Sequence, residues 1–277
     1  MKLSVWVFVS DLVVTRQTKF EKIVSLFDKK YTMFQTLPHY NIFQSLKQAG
    51  VDGLELLIPS YASDKNIEDI KGIVNKNKIP VFSIHQSLSN INSITLAEIE
   101  KLCSIANTFT ATVVVLHSGT LKEKLFDPKF IYNLKHLQRK YNIIFGIENM
   151  EKMPLLSSKL YTYKGNEFSS AVNEAGLSIT FDTTHLGQVG EDIIQFYLAN
   201  KEKIINIHIS DCKNDWLNRH VFLHKSTHLP LGYGDLPIKD FLKILKNERY
   251  KGIITMETNA NLEQICESAK IIKTYMD

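Results

Sequence analysis

A chain of 277 residues with 44% hydrophobic content can bury a large core, as one α/β barrel or as two smaller domains. Its 33 basic and 29 acidic residues leave a net charge of +4 spread along the chain, which permits an anionic ligand but argues against a nucleic-acid partner. Cys103, Cys212 and Cys266, odd in number and far apart, argue against a disulfide framework and suit reduced thiols in a cytoplasmic protein, and no apolar run is long enough to span a membrane.

The run Leu3–Val9 is too short for the core of a signal peptide and is followed by Asp11, so it reads as the first strand. Phe20, Ile23, Val24 and Phe27 then recur at helical spacing across Lys19–Lys30, inside an insertion from Thr15 to Tyr40 that is a candidate lid. A helix over Asn41–Gln48 stops at Gly50, and Gly53–Ile58 is the second strand. Alternation then continues: helix Ile67–Val74, strand Val81–His85, helix Leu96–Asn107, strand Val113–His117, helix Lys129–Lys140, strand Ile143–Glu148. It ends with helix Glu167–Glu174, strand Ser178–Asp182, helix Asp192–Asn200, strand Ile204–Ile209, helix Ile238–Asn247 and strand Ile253–Glu257. Eight strands with helical crossovers imply parallel pairing, and the length predicts a single (β/α)8 TIM barrel over 1–277. A doubly wound open sheet is the alternative, but no Gly-rich phosphate turn follows Val9. The long irregular stretch Asp211–Asp235 follows strand seven.

The strand ends carry the chemistry. Strands three to six finish in His85, His117, Glu148 and Asp182, with His185 just beyond; strand seven carries His208 and then Asp211, and strand eight ends in Glu257. In a barrel these residues ring one mouth, where active sites of this architecture form. So many ionisable groups need a compensating cation, and a thiolate-free set of oxygens and imidazole nitrogens suits a divalent metal. Manganese, cobalt and zinc fit such donors, and imidazole content weighs mildly against magnesium. Glu55, in strand two, is placed to hydrogen-bond a ligand histidine.

The series Ile84-His85-Gln, Leu116-His117-Ser-Gly, Ile147-Glu148-Asn, Phe181-Asp182-Thr-Thr-His185, Ile207-His208-Ile-Ser-Asp211, His228-Leu-Pro-Leu-Gly-Tyr-Gly234 and Met256-Glu257-Thr resembles the xylose isomerase-like TIM-barrel superfamily. That group holds sugar isomerases and epimerases together with endonuclease IV. Its epimerase-like members imply one divalent metal held by Glu148, Asp182, His208 and Glu257, with His185 and Arg219 at the substrate. Asp211 and His228 are further candidate substrate contacts. Endonuclease IV-like members imply that His85 and His117 bind a second zinc, and that His185 and His228 belong to a third, although Ser226 stands where that pattern has Asp.

Two activities follow from the resemblance. One is isomerisation or epimerisation of a small sugar, sugar phosphate or polyol through an enediolate, with Glu148 and Glu257 as acid and base. The alternative is phosphodiester hydrolysis with two or more zinc ions. Against it stand Ser226 and the lack of basic residues in Pro59–Ser63. Aromatic residues around Phe34 and Tyr40 suit a homo-oligomer contact.

Overall fold

The β-branched and aromatic runs identified in the sequence form strands that pair in parallel with their neighbours in chain order. They are β1 Lys2–Phe8, β2 Gly53–Ile58, β3 Val81–Gln86, β4 Val113–His117, β5 Ile144–Glu148, β6 Ser178–Asp182, β7 Ile204–Ile209 and β8 Ile253–Met256. In this computed structural model the sheet is a closed barrel, sealed where β1 pairs β8 from Lys2↔Ile253 to Val5↔Met256. The structure describes residues 1–13, 33–34, 36–59, 61–87, 94–150, 165–213 and 226–277. The helix expected at Lys19–Lys30, most of the insertion, Trp216 and Arg219 lie outside them.

The α-helices are α1 Val9–Leu12, α2 His39–Gln48, α3 Asp64–Asn77, α4 Leu96–Thr108, α5 Ser118–Leu121, α6 Pro128–Tyr141, α7 Gly165–Ala175, α8 Thr183–Gln188, α9 Ile193–Asn200, α10 Ile238–Asn247 and, after β8, α11 Leu262–Met276. Local chemistry starts and stops several of them. Thr95 and Glu98 form a capping box on α4, and Asp127 caps α6 ahead of Pro128. Lys78 and Asn142 end α3 and α6 in left-handed conformations.

Several boundaries differ from the sequence reading. β1 ends at Phe8, because Val9 already begins α1, whose Asp11 carboxylate accepts the Phe8 N–H at 3.0 Å. β5 starts at Ile144, one residue later than expected. β8 ends at Met256, leaving Glu257 just past the strand with its N–H still bonded to Ile209 O at 3.2 Å. α11 follows β8, and its Ile265, Ala269 and Ile272 are fully buried. Among the described residues, no helix is long and apolar enough to cross a membrane.

Side chains alternate along each strand. Val5 and Val7, Leu54 and Leu56, Phe145 and Ile147, and Phe181 and Ile207 belong to the large apolar cluster, which the helices also enter. Alternate positions on these strands and on β3 and β8 carry Ser4, Glu55, Ser83, Gly146, Thr180, Asn206 and Thr255, and hydrogen bonds join most of them within or across the barrel. Val113, Val115 and Ile253 form a small separate apolar cluster. A barrel of this kind usually fills its interior with branched apolar side chains; here a polar layer lies beneath the mouth.

Candidate metal centre

The strand register brings the expected rim residues together. His85, His117, Glu148, Asp182, His208 and Glu257 are all buried, although each is ionisable. His208 is at the centre: its Nδ1 lies 2.8 Å from Glu148 Oε1, 2.6 Å from Glu257 Oε2 and 4.0 Å from Asp182 Oδ2. On the other side of Glu148, Oε2 lies 3.3 Å from His85 Nε2 and 3.4 Å from His117 Nε2.

Strand ends and short helical turns fix these side chains. Asp182 closes β6 and caps α8, its Oδ1 accepting the His185 N–H at 2.6 Å, so that Oδ2 is left for the mouth. Asn149, a residue the sequence reading passed over, clamps the same point: its Oδ1 accepts the Asp182 N–H at 2.8 Å and its Nδ2 donates to Asp182 O at 2.9 Å. Its place directly after Glu148 was the available signal. His185 Nδ1 donates to Asn149 O at 2.8 Å, which leaves the acceptor lone pair on Nε2. His228 Nδ1 donates to Glu257 O at 3.1 Å, and its ring meets that of His185 edge-on at 5.2 Å. His228 does this from a left-handed backbone, φ 49°, which is uncommon outside glycine.

Asp211, a candidate substrate contact, is held by its own loop. Its Oδ2 accepts the N–H groups of Gly232 and Gly234 at 3.0 Å each, and its Oδ1 those of Cys212 at 2.9 Å and Leu236 at 3.1 Å. Four backbone amides occupy the carboxylate, so it builds the loop that carries His228. Arg219 lies outside the described residues.

Electrostatics divides the carboxylates. Burial pushes Glu148 upward, but His208 and His85 outweigh it and hold the group well below the usual range. Glu257 is likewise lowered, by His208 against the effect of burial. Asp182 goes the other way, burial pushing it up to about 7. Burial lowers His117 to about 3 and His228 to about 4, which keeps both rings neutral, the state a metal ligand needs. For His208 burial is outweighed by Glu55, Glu257 and Glu148, and the ring is raised well above its ordinary value.

The donor set fits a divalent cation. Glu148 Oε2, Asp182 Oδ2, Glu257 Oε2 and His85 Nε2 are buried without a partner in hydrogen-bonding geometry. One ligand atom each from His85, Glu148, His208 and Glu257 lies within 4.8 Å of the others, and the same holds for Glu148, Asp182 and His185 and for Asp182, His228 and Glu257. Three carboxylates with imidazoles and no thiolate suit manganese, cobalt or zinc in preference to softer ions.

The sequence profile of the xylose isomerase-like TIM barrel matches residues 43–275. The chain belongs to that family. Among its relatives, an uncharacterized protein of Methanocaldococcus jannaschii is 25% identical over 244 residues, covering 78% of this chain and 77% of its own. An inosose isomerase of Halalkalibacterium halodurans is 19% identical, covering 89% and 93%. The crystal structure of a D-tagatose 3-epimerase-like protein superposes with a TM-score of 0.66 at 21% identity, over 100% of this chain and 97% of that one.

Proposed function

We propose that this protein is a divalent-metal-dependent isomerase or epimerase of a small sugar, sugar phosphate or polyol. The observation that carries the reading is the pairing of Glu148 and Glu257, from β5 and just past β8, on one imidazole nitrogen at 2.8 and 2.6 Å, beside Asp182. The inosose isomerase and epimerase-like relatives support the same reaction class.

Glu148, Asp182, His208 and Glu257 would hold the cation, which supplies Lewis acidity towards a carbonyl and its neighbouring hydroxyl oxygen. The hard step is removal of a proton from the carbon beside that carbonyl. Glu148 and Glu257 are both held in the ionised form, so either is competent to take it. They come from strands separated by β6 and β7, so one takes the proton and the other returns it from a different side of the substrate. His185, with its acceptor lone pair on Nε2, receives a substrate hydroxyl, with His228 beside it; Arg219, which the resemblance implies as a further substrate contact, lies outside the described residues.

The test is exchange of a substrate carbon-bound proton with deuterated water across a panel of ketoses, inososes and sugar phosphates, with manganese, cobalt, zinc or magnesium supplied in turn. Glu148→Gln and Glu257→Gln are each expected to lower the exchange rate by about 10²–10⁴-fold. Activity that survives both substitutions would sink the acid–base assignment.

A second reading has one specific observation in its favour. His85 and His117 both bring Nε2 to Glu148 Oε2, so they would add two imidazole ligands beside that carboxylate, as a zinc phosphodiesterase with more than one ion would need. Two or more zinc ions per chain by elemental analysis, with cleavage of abasic DNA or another phosphodiester, would favour it over the sugar chemistry.

A further inference from the structure

The imidazole of His208 is held at both ends. Opposite the Nδ1 contacts, Nε2 lies 2.9 Å from Glu55 Oε1. Glu55 belongs to β2 and His208 to β7, strands that are not neighbours, so the contact crosses the barrel interior. Both side chains are fully buried. The second Glu55 oxygen, Oε2, accepts from Ser83 Oγ at 2.6 Å and Asn206 Nδ2 at 2.9 Å. Asn206 is itself oriented, because its Oδ1 accepts from Thr255 Oγ1 at 3.0 Å. A carboxylate only accepts, so the nitrogen of the Asn206 amide faces Glu55.

Asn206 Nδ2 also lies 3.2 Å from His208 Nε2, which raises the choice of a bare Nε2 accepting from the amide. That choice would set a nitrogen lone pair against a buried carboxylate oxygen at 2.9 Å, a repulsion that the dry interior leaves unscreened. A proton on Nε2 converts the same contact into a charge-assisted hydrogen bond. We infer that Glu55 is a positioning residue: it holds the Nε2 proton, fixes the plane of the ring, and leaves Nδ1 as the nitrogen presented to the mouth. Its bearing on metal binding rests on the metal-dependent reading of the site; the orientation of His208 does not.

An isosteric change exposes the role. In Glu55→Gln, Ser83 and Asn206 both donate at the Oε2 position, so the new carbonyl belongs there and the new NH₂ faces Nε2. A donor then meets a donor, and the ring must turn or give up the Nε2 proton and keep the one on Nδ1. Either response denies an incoming cation the Nδ1 lone pair that loss of the Nδ1 proton would otherwise free.

The experiment uses full-length protein labelled with ¹⁵N-histidine, the His208 signal being assigned by its loss in His208→Asn. The imidazole N–H spectrum is recorded with and without Zn²⁺, Zn²⁺ affinity is measured by competition with a chromophoric chelator, and the thermal midpoint is followed alongside. Wild-type protein is expected to show a protected Nε2–H resonance. Glu55→Gln is expected to lose or shift it and to bind Zn²⁺ about 10–100-fold more weakly. Ser4→Ala, which removes only the 2.7 Å Ser4–Thr255 bond from the same buried layer, is expected to move the midpoint and neither of the other readouts. An unchanged resonance in folded Glu55→Gln protein, or Zn²⁺ affinity within about twofold of wild type, overturns the inference. Should Glu55→Gln not fold, Ser83→Ala removes one donor from Glu55 and is judged by the same criteria, with a smaller loss expected. Wild-type protein that binds no Zn²⁺ while Glu55→Gln still loses the resonance counts against the metal reading and leaves the positioning role standing.

Discussion

Asp182 and His208 share one cluster, and both must give up a proton before a cation can take their places. Burial holds Asp182 protonated up to about 7, and the surrounding carboxylates keep the His208 ring charged well above its ordinary value. A raised pKa means that protons compete with the cation on the acid side, so affinity falls as pH drops through the range of each group. At pH 6, binding is expected to release about two protons, one from each residue, and the number falls towards one as pH rises past the Asp182 range. Calorimetry in buffers of different ionisation enthalpy reads the count directly; binding without proton release at pH 6 would exclude Asp182 and His208 as ligands. At the same scale, the roles of His185 and Asp211 differ for a reason that spacing does not carry. The two residues follow strands β6 and β7 in similar ways, yet one ring donates to Asn149 and faces the cluster while the other side chain is occupied by four amides of its own loop. An Asp211→Ala change is expected to cost at least about 2 kcal/mol, since several buried donors lose their acceptor together, and to open the 226–236 segment to proteolysis. Unchanged protease resistance there would contradict the loop-building role.

Among the elements, β5 and β6 are packed without slack. A Cβ at Gly146 would collide with Thr180 Oγ1, and Gly146 lies two residues before Glu148 on the same side of the strand. Gly146→Ala is therefore expected to destabilise the protein by roughly 1–3 kcal/mol and to weaken cation binding by shifting Glu148. Thr180 Oγ1 has no hydrogen-bond partner of its own, so Thr180→Ala in the same chain should recover much of the loss, an interaction measurable as a double-mutant cycle in denaturant midpoints. Strictly additive effects would mean that the close approach is not the cause. The strands were the most legible elements in the sequence, because each apolar run finishes on a residue whose type has no place in an apolar core. α11 carried an equally plain signal in the i, i+4, i+7 spacing of Ile265, Ala269 and Ile272, but no rim residue follows it to draw attention. The short turns α5 and α8 are too brief for periodicity to register; they exist because a strand end and the next loop share hydrogen bonds such as that between Asp182 and the His185 N–H.

For the whole molecule, barrel closure is what makes the site. Residues from position 85 to position 257 meet because eight parallel strands return to their starting point, and the sequence conveyed that through strand count and connection type. It conveyed the cluster as a list of residue types and left open which contacts each would make, since these depend on the stagger between strands. Register shifts between Leu54 and Glu55, opposite β3, and between Ile179 and Thr180, opposite β7, are features that no composition signals. A cation that binds only the folded barrel should stabilise it by about 2.7 kcal/mol at a hundred times its dissociation constant. For a chain of this size that corresponds to a rise of about 5 °C in thermal midpoint, reversed by a chelator and visible by scanning calorimetry. Mechanically, His208 is a strut across the barrel, braced on β2 through Glu55 and on the far wall through Glu148 and Glu257. Load on the upper end of such a strut is felt at its foot, so occupancy at the mouth should alter the breathing of β2, and amide hydrogen exchange in Gly53–Ile58 should respond to a cation that never touches that strand.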